Sequence, residues 1–260
     1  MKNFRKYGVA PYNVVVVHGG PGAAGSMAPV AKELSGISGI LEPLLASKSV
    51  DGQLQELEVI IREQSDLPVI LSGHSWGAWL VYIFAAHYPE MVKKLILISS
   101  GPFEEKYASE INEIRLKRLI EEEKTELYSI QDALNDPGTE NKDAIFKRLG
   151  ELISMTDSFN PLPRTNEEIV ISYDIFQSVW DEAHDMRKRR RLLAFGKQIH
   201  CPVLAIHGDY DPHPYKGVER PLSHIIKDFR FVLLSKCGHE PWLEKLARER
   251  FFEVLRMELV

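Results

Sequence analysis

The sequence predicts an α/β fold: a mostly parallel sheet of about six strands with helices on both faces and an inserted helical cap. Three observations predict it. Short, uninterrupted apolar runs recur between helical patterns, and strands that are apolar throughout belong to a parallel sheet covered on both faces. One of these runs passes without a gap through Gly73-His74-Ser75-Trp76-Gly77 into an apolar helix ended by Pro89. From Phe103 to about Phe195 the strand pattern stops, and it returns at Pro202.

A chain of 260 residues, 44% of them hydrophobic, can bury one large core. Its net charge of -5 gives no general attraction to nucleic acid or to an anionic membrane, so the expected partner is a small molecule or a short peptide. No apolar run reaches the ~20 residues of a membrane span, and no signal-peptide core follows the basic start from Met1 to Lys6. A cytoplasmic location is expected. Only two cysteines are present, which fits a reducing compartment. Cys201 precedes one parallel strand and Cys237 follows the end of the next, farther apart than the ~7 Å a disulfide tolerates, so both are expected as free thiols.

Along the chain, Tyr12 to Val17 is a buried strand ending in His18-Gly19-Gly20-Pro21-Gly22. Glycine lets this loop curl against a bound group and Pro21 stiffens it, so the Gly20 amide can point into a site. It lacks the Gly-Lys-Ser/Thr ending of a phosphate-binding loop. A helix over 27–34, a weak strand over 37–41 and a helix over 51–64 follow. The last of these carries Leu54, Leu57, Val59, Ile60 and Ile61 on one stripe, with Asp51 as its expected N-cap. Pro68 to Ser72 is a strand, Ala78 to Tyr88 a buried helix, and Leu95 to Ile98 a strand stopped by Ser99-Ser100-Gly101-Pro102.

The next segment reads as helices over about 104–134, 143–155, 166–180 and 182–195, broken at Asp136-Pro137-Gly138 and at Asn160-Pro161-Leu162-Pro163. An all-helical insertion that leaves a sheet from its carboxyl edge must lie over that edge. The expected division is therefore a core of residues 1–102 and 197–260 and a cap of residues 103–196. The run Arg187-Lys188-Arg189-Arg190-Arg191 shares its helix with Asp181, Glu182 and Asp185, which indicates a solvated face and not a nucleic-acid surface. Pro202 to Ile206 restores the strand pattern and runs into His207-Gly208-Asp209-Tyr210-Asp211-Pro212-His213. A helix over about 216–227, the strand Phe229 to Leu234, the loop Cys237-Gly238-His239-Glu240 and an amphipathic helix to about Leu259 complete the chain.

Strand, sharp turn and helix give the G-x-S-x-G motif its mechanical meaning: Ser75 stands exposed at the carboxyl end of a central strand, and the Trp76 amide, in the first helical turn, is free to donate to an oxyanion. A serine hydroxyl needs a general base and a group that fixes the base's tautomer. His239, aimed by the turn that Gly238 permits, is the expected base and Asp211 the expected acid. Asp209 competes for the second role but sits closer to the strand end, where it is expected to hold the turn. The Gly20 and Trp76 amides form the expected oxyanion hole. His18, His74 and His207 are read as neutral structural rings and His213 as loop surface, since each lacks a partner acid at the required spacing. No H-x-x-x-H or H-E-x-x-H spacing supports a metal site, and no cofactor is called for.

Gly73-His74-Ser75-Trp76-Gly77, His18-Gly19-Gly20-Pro21-Gly22, Gly208-Asp209-Tyr210-Asp211 and Gly238-His239 together resemble the α/β-hydrolase superfamily over nearly the whole chain outside the cap. The His-Gly-Gly-Pro-Gly loop and the tryptophan after the serine are most similar to its proline iminopeptidase-like branch. The resemblance implies Ser75 as nucleophile, His239 as base, Asp211 as acid, and cap acids holding the substrate's free amino group, with Glu104, Glu105, Glu110 and Glu113 among those available. Two departures accompany it: that branch usually has Gly where this chain has His74, and it has a longer N-terminal region with an opening pair of strands. The expected function is a serine hydrolase cleaving a small ester, amide or peptide bond through an acyl-enzyme. A proline iminopeptidase-type aminopeptidase and a non-catalytic ligand-binding protein of the same fold are the alternatives. A lyase or cofactor-free peroxidase using the same pocket differs from these only in its products.

Overall fold

The computed structural model describes residues 3–164 and 168–259. Seven strands form one sheet: β1 (Phe4–Tyr7), β2 (Val14–Val17), β4 (Ile40–Pro43), β5 (Val69–His74), β6 (Val92–Ile98), β8 (Val203–Gly208) and β9 (Phe229–Leu234). Two more, β3 (Ala23–Ala24) and β7 (Val170–Ile171), make a small antiparallel ladder. The order across the large sheet is β1-β4-β2-β5-β6-β8-β9, parallel throughout except where β1 pairs antiparallel with β4. This is one strand beyond the expected count. Phe4–Tyr7 is too short and too charged to read as a buried strand, and it is an edge strand whose partner supplies the pairing.

The helices α1 (Ala28–Leu34), α2 (Val50–Gln64), α3 (Trp76–His87), α9 (Lys216–Ile225) and α10 (Arg248–Leu259) cover the sheet. Alternation along the strands divides the core into two layers. Val15, Val17 and Leu71 pack with α2 and α3, whereas Val14, Val16 and Ile70 pack with α1 and α10. Helix α3 is buried almost all round because sheet and insertion sandwich it. Two details of α2 differ from the expected ones. Its N-cap is Ser49, whose hydroxyl accepts from the Gly52 amide, so Asp51 lies inside the first turn. Val59 is exposed, since the buried stripe runs through Leu54, Leu57, Ile60 and Ile61.

Between β6 and β8 the chain makes α4 (Ser109–Arg118), α5 (Glu121–Asn135), α6 (Lys142–Asp157), β7, α7 (Tyr173–Lys188) and the short α8 (Arg191–Ala194). The expected single helix over 104–134 is broken at Leu119 and Ile120, which are extended. The two helices expected over 166–180 and 182–195 are largely one, α7, ended by Arg190 in a left-handed conformation. The first residues of the former, 166 and 167, lie outside the described residues, as do Met1 and Lys2. Within the basic run, Arg189 and Arg191 pair with Asp185 as a solvated face would, but Arg187 is buried against Trp79 and bonds Glu105. The insertion is tied to the sheet's carboxyl edge at both ends of the site: β7 pairs with β3 beside the Gly19-Gly20 loop, and the main-chain carbonyl of Asp157 accepts the His239 amide at 2.8 Å. Cys201 and Cys237 are both free thiols.

Candidate active site

The site is built where β2, β5, β8 and β9 end. Ser75 caps α3 with φ 53 and ψ -115, a left-handed backbone that a serine adopts only under constraint. The constraint is steric and local. A Cβ on Gly73 would lie 2.2 Å from the Gly77 carbonyl oxygen, and one on Gly77 would lie 2.5 Å from the His18 carbonyl oxygen, so strand and helix meet closer than any larger residue permits. Among the described residues the Ser75 hydroxyl has no hydrogen-bond partner, and neither the Gly20 nor the Trp76 amide donates to another group. These are the two amides expected to serve an oxyanion.

The expected acid and the expected base meet directly. Asp211 Oδ2 accepts from His239 Nδ1 at 2.7 Å. A carboxylate only accepts, so the proton is on Nδ1 and the ring's other nitrogen carries a free lone pair. Burial pulls the His239 ring down, but the charge of Asp211, its hydrogen bond and the charge of Asp157 outweigh burial and hold the ring above its ordinary value. Asp211 runs the opposite way: burial pushes its carboxyl up, and the surrounding His239, His213 and His207 hold it well below the usual carboxylate range. Asp209 stays at the turn, where Oδ1 accepts the Cys237 amide at 3.3 Å.

No hydrogen bond joins Ser75 to His239 among the described residues; such contacts are often loose before substrate is bound. The ring is brought to the elbow by His74, whose Nε2 donates to the His239 carbonyl at 2.9 Å and whose ring lies 4.8 Å from that of His239 and 4.7 Å, edge-on, from Trp242. His74 is buried, and burial with the neighbouring His239 holds it well below the ordinary histidine value. His18 donates Nδ1–H to the Gly19 carbonyl at 3.2 Å, and burial lowers it as well. His207 Nε2 donates to the His213 carbonyl at 2.8 Å. All three rings are buried and bonded to main-chain carbonyls, although His207 also has an acid nearby, its Nε2 lying 3.4 Å from Asp211 Oδ2.

His213 is not loop surface. It is 9% exposed, its Nδ1 donates to Asp211 Oδ1 at 2.8 Å, and its ring stacks on His239 at 4.4 Å with a 26° interplanar angle. Pro212 and Pro214 suggest an exposed turn, but Asp211 Oδ1 also accepts the His213 amide at 2.9 Å and folds the residue inward. Asp211, His213 and His239 offer ligand atoms within 4.8 Å of one another. Both Nδ1 atoms face the Asp211 carboxylate, one on each oxygen.

Other residues that the sequence does not single out hold this arrangement. Gln53 is fully buried between the two segments expected to supply the oxyanion hole: its Oε1 accepts the Trp76 indole at 3.0 Å, and its Nε2 donates to the Pro21 carbonyl at 3.4 Å and to that of Ser47 at 3.1 Å. Glu244, also buried, accepts the amides of Gly238, Phe159 and Asn160 at 2.7–2.8 Å and fastens the histidine loop to the insertion. Asp157, whose carbonyl holds the His239 amide, is gripped by Arg115 from α4 at 2.8 Å. An amide on the apolar stripe of α2, directly after Gly52, is the one signal that marks Gln53. Nothing local marks Asp157 or Glu244.

The cap acids are largely occupied. Glu104 pairs with Lys106 at 2.9 Å, Glu105 with Arg187 at 2.8 Å and His184 at 3.4 Å, and Glu113 with Lys117 at 3.9 Å, while Glu110 is exposed.

The profile of a family described as serine aminopeptidase, S33, matches residues 47–246, well over half the chain. The chain belongs to this S33 family. Its α/β-hydrolase membership accords with the elbow and the order of the triad candidates. Among relatives of the S33 chain, the proline iminopeptidase of Saccharolobus solfataricus is 27% identical over 277 residues, covering 94% of this chain and 83% of that protein. Solved structures share the fold. The monoacylglycerol lipase of Paleococcus ferrophilus superposes with a TM-score of 0.62 at 19% identity, covering 98% of this chain and 97% of the other. A thermophilic esterase from Thermogutta terrifontis gives 0.63 at 18% identity, covering 98% and 92%. At such identities the likeness speaks for the fold alone.

Proposed function

We propose that this S33-family chain is a serine hydrolase that cleaves a small ester, amide or peptide bond through an acyl-enzyme. The observation that carries the reading is the 2.7 Å bond from His239 Nδ1 to the buried Asp211 carboxylate beside a serine held at φ 53 on the elbow. Ser75 attacks the carbonyl as His239 takes its proton, and the Gly20 and Trp76 amides donate hydrogen bonds to the developing oxyanion. His239, now a cation held by Asp211, protonates the leaving group. Water then attacks the acyl-enzyme with the roles reversed. No redox or metal-dependent step is needed for this sequence of transfers.

The insertion between residues 103 and 196 serves as a lid over residues 1–102 and 197–260, with its inner face selecting the substrate. Ties from Asp157 and β7 to the two catalytic loops support that reading. The free thiols fit a reducing, cytoplasmic setting, and no described helix is long and apolar enough to cross a membrane.

An aminopeptidase of the proline iminopeptidase type is the second reading, favoured by the family match and by the relative that is 27% identical. The pairing of Glu104, Glu105 and Glu113 with basic neighbours favours esters and acyl groups without a free amine. Turnover of a short-chain nitrophenyl ester and of prolyl nitroanilide, on wild type and Ser75→Ala in parallel, separates the two. Ester cleavage alone, lost in the variant, supports the first reading; anilide cleavage, lost in the variant, supports the second. Turnover of neither substrate would move the weight to a non-catalytic ligand-binding protein.

A further inference from the structure

We propose that His213 is a positioning residue that shares the Asp211 carboxylate with His239 and thereby tempers the basicity of the His239 ring. The inference rests on the reading of His239 as the general base and concerns a residue outside the triad. The carboxylate is divided between two rings. Oδ2 takes the His239 Nδ1 proton at 2.7 Å, and Oδ1 takes the His213 Nδ1 proton at 2.8 Å together with the His213 amide at 2.9 Å. A third ring, His207, approaches Oδ2 at 3.4 Å while its Nε2 proton goes to the His213 carbonyl at 2.8 Å. Each of these partners is acceptor-only, so all three rings are donors toward Asp211 or toward the His213 main chain.

Two consequences follow from sharing. The hydrogen bond from His213 draws charge density to Oδ1 and leaves less to stabilise a cation on His239. The stacked His213 ring, 4.4 Å from that of His239, also fixes the plane in which His239 can swing, with His74 on the elbow side 4.8 Å away. His213 can do this only while neutral, and burial above all lowers it to about 4, so it stays neutral over the range in which a histidine base works. The titratable and charged groups facing the pair are His74 from β5, His207 from β8, Asp157 from the end of α6 and Arg115 from α4. Asp157 and Arg115 bond to each other, and His74 and His207 are held neutral by burial, which leaves the Asp211–His213 bond as the adjustable element.

The test separates the donor from the ring. His213→Phe keeps a stacked aromatic and removes the donor; His213→Asn loses the ring and restores an N–H at the same reach from Asp211. In histidine-labelled full-length protein, NMR titration of the His239 ring should move upward by roughly half a unit to one unit in His213→Phe and stay near wild type in His213→Asn. The acid limb of kcat/KM on the ester substrate should move with it. Should the phenylalanine variant fail to fold, His213→Leu makes the same removal with a smaller side chain. A His239 titration unmoved in His213→Phe, or moved equally in both variants, would overturn the proposal. The NMR readout does not depend on turnover, so an unmoved titration counts against His213 even where Ser75→Ala is inactive. Failure of the hydrolase reading would show separately, as activity retained in Ser75→Ala.

Discussion

Gln53→Leu probes the support of the proposed oxyanion hole. The substitution nearly conserves shape and removes every polar contact of a fully buried side chain. The Trp76 indole N–H, now bonded at 3.0 Å, becomes a buried donor without a partner, which costs about 1–3 kcal/mol. The Ser47 carbonyl loses a 3.1 Å bond, about 1 kcal/mol, and the 3.4 Å bond to Pro21 adds little. Burying leucine instead of an amide offsets part of this, so urea unfolding should show a net loss of about 2–3 kcal/mol. Trp76 carries one of the two proposed oxyanion donors, and Pro21 directly follows Gly20, which carries the other. Complete loss of one such donor costs roughly 10²–10³ in kcat, so its misalignment should cost about 10- to 100-fold with KM little changed. Trp76→Phe removes the same bond from the other side, and the double variant should fall no further than the worse single one. A destabilised Gln53→Leu enzyme with wild-type kcat would refute the argument that this amide aligns the two donors.

Four further outcomes are expected. Because His239 is held above its ordinary value, the acid limb of kcat/KM should lie above pH ~6.5, with activity falling as the ring protonates; a profile flat from pH 5 to 8 would exclude a histidine base. Asp211 is depressed, so its contribution to stability is present above ~3.9 and is lost only as pH falls through its lower folded value. Asp211→Asn should cost about 10³–10⁴ in turnover, against about tenfold or less for Asp209→Asn, which loses one 3.3 Å turn bond, and the reverse order would exchange the acid. Gly19→Ala puts a Cβ 2.4 Å from His74 Nδ1, where His239 and Trp242 leave the ring nowhere to go. It should destabilise by about 1–3 kcal/mol, with partial recovery in Gly19→Ala/His74→Ala, and an unchanged melting temperature would contradict the packing.

The strands and the elbow were legible because they are local. Val14–Val17 and the start of Val69–His74 announce themselves as continuous apolar runs, Phe229–Leu234 as an apolar run broken only by Arg230, and two glycines around Ser75 leave the turn little choice. Beyond local reach the sequence was less informative. Phe4–Tyr7 becomes a strand only because Ile40–Pro43 offers it an edge. In the insertion, the break at Leu119–Ile120 and the joining of two expected helices into α7 depend on what each segment packs against, such as the stacking of Trp180 on Trp79 at 5.7 Å. The same limit held in the site. The Ser, Asp and His candidates sit at strand ends that a pattern can find, and the structure brings Asp211 and His239 together. Gln53, Asp157 and Glu244 act across long separations with no motif to mark them. His213 was legible as a histidine two residues past an acid, but its turn prolines pointed outward while the carboxylate turned it in.

The central claim, that Ser75 is the nucleophile of an acyl-transfer site, is tested most directly by intact-protein and peptide mass spectrometry after treatment with a fluorophosphonate. The account predicts a single adduct on the peptide that carries Ser75, absent in Ser75→Ala and slowed by about three orders of magnitude or more in His239→Ala. An adduct on another residue, or labelling and turnover that survive in Ser75→Ala, would contradict it.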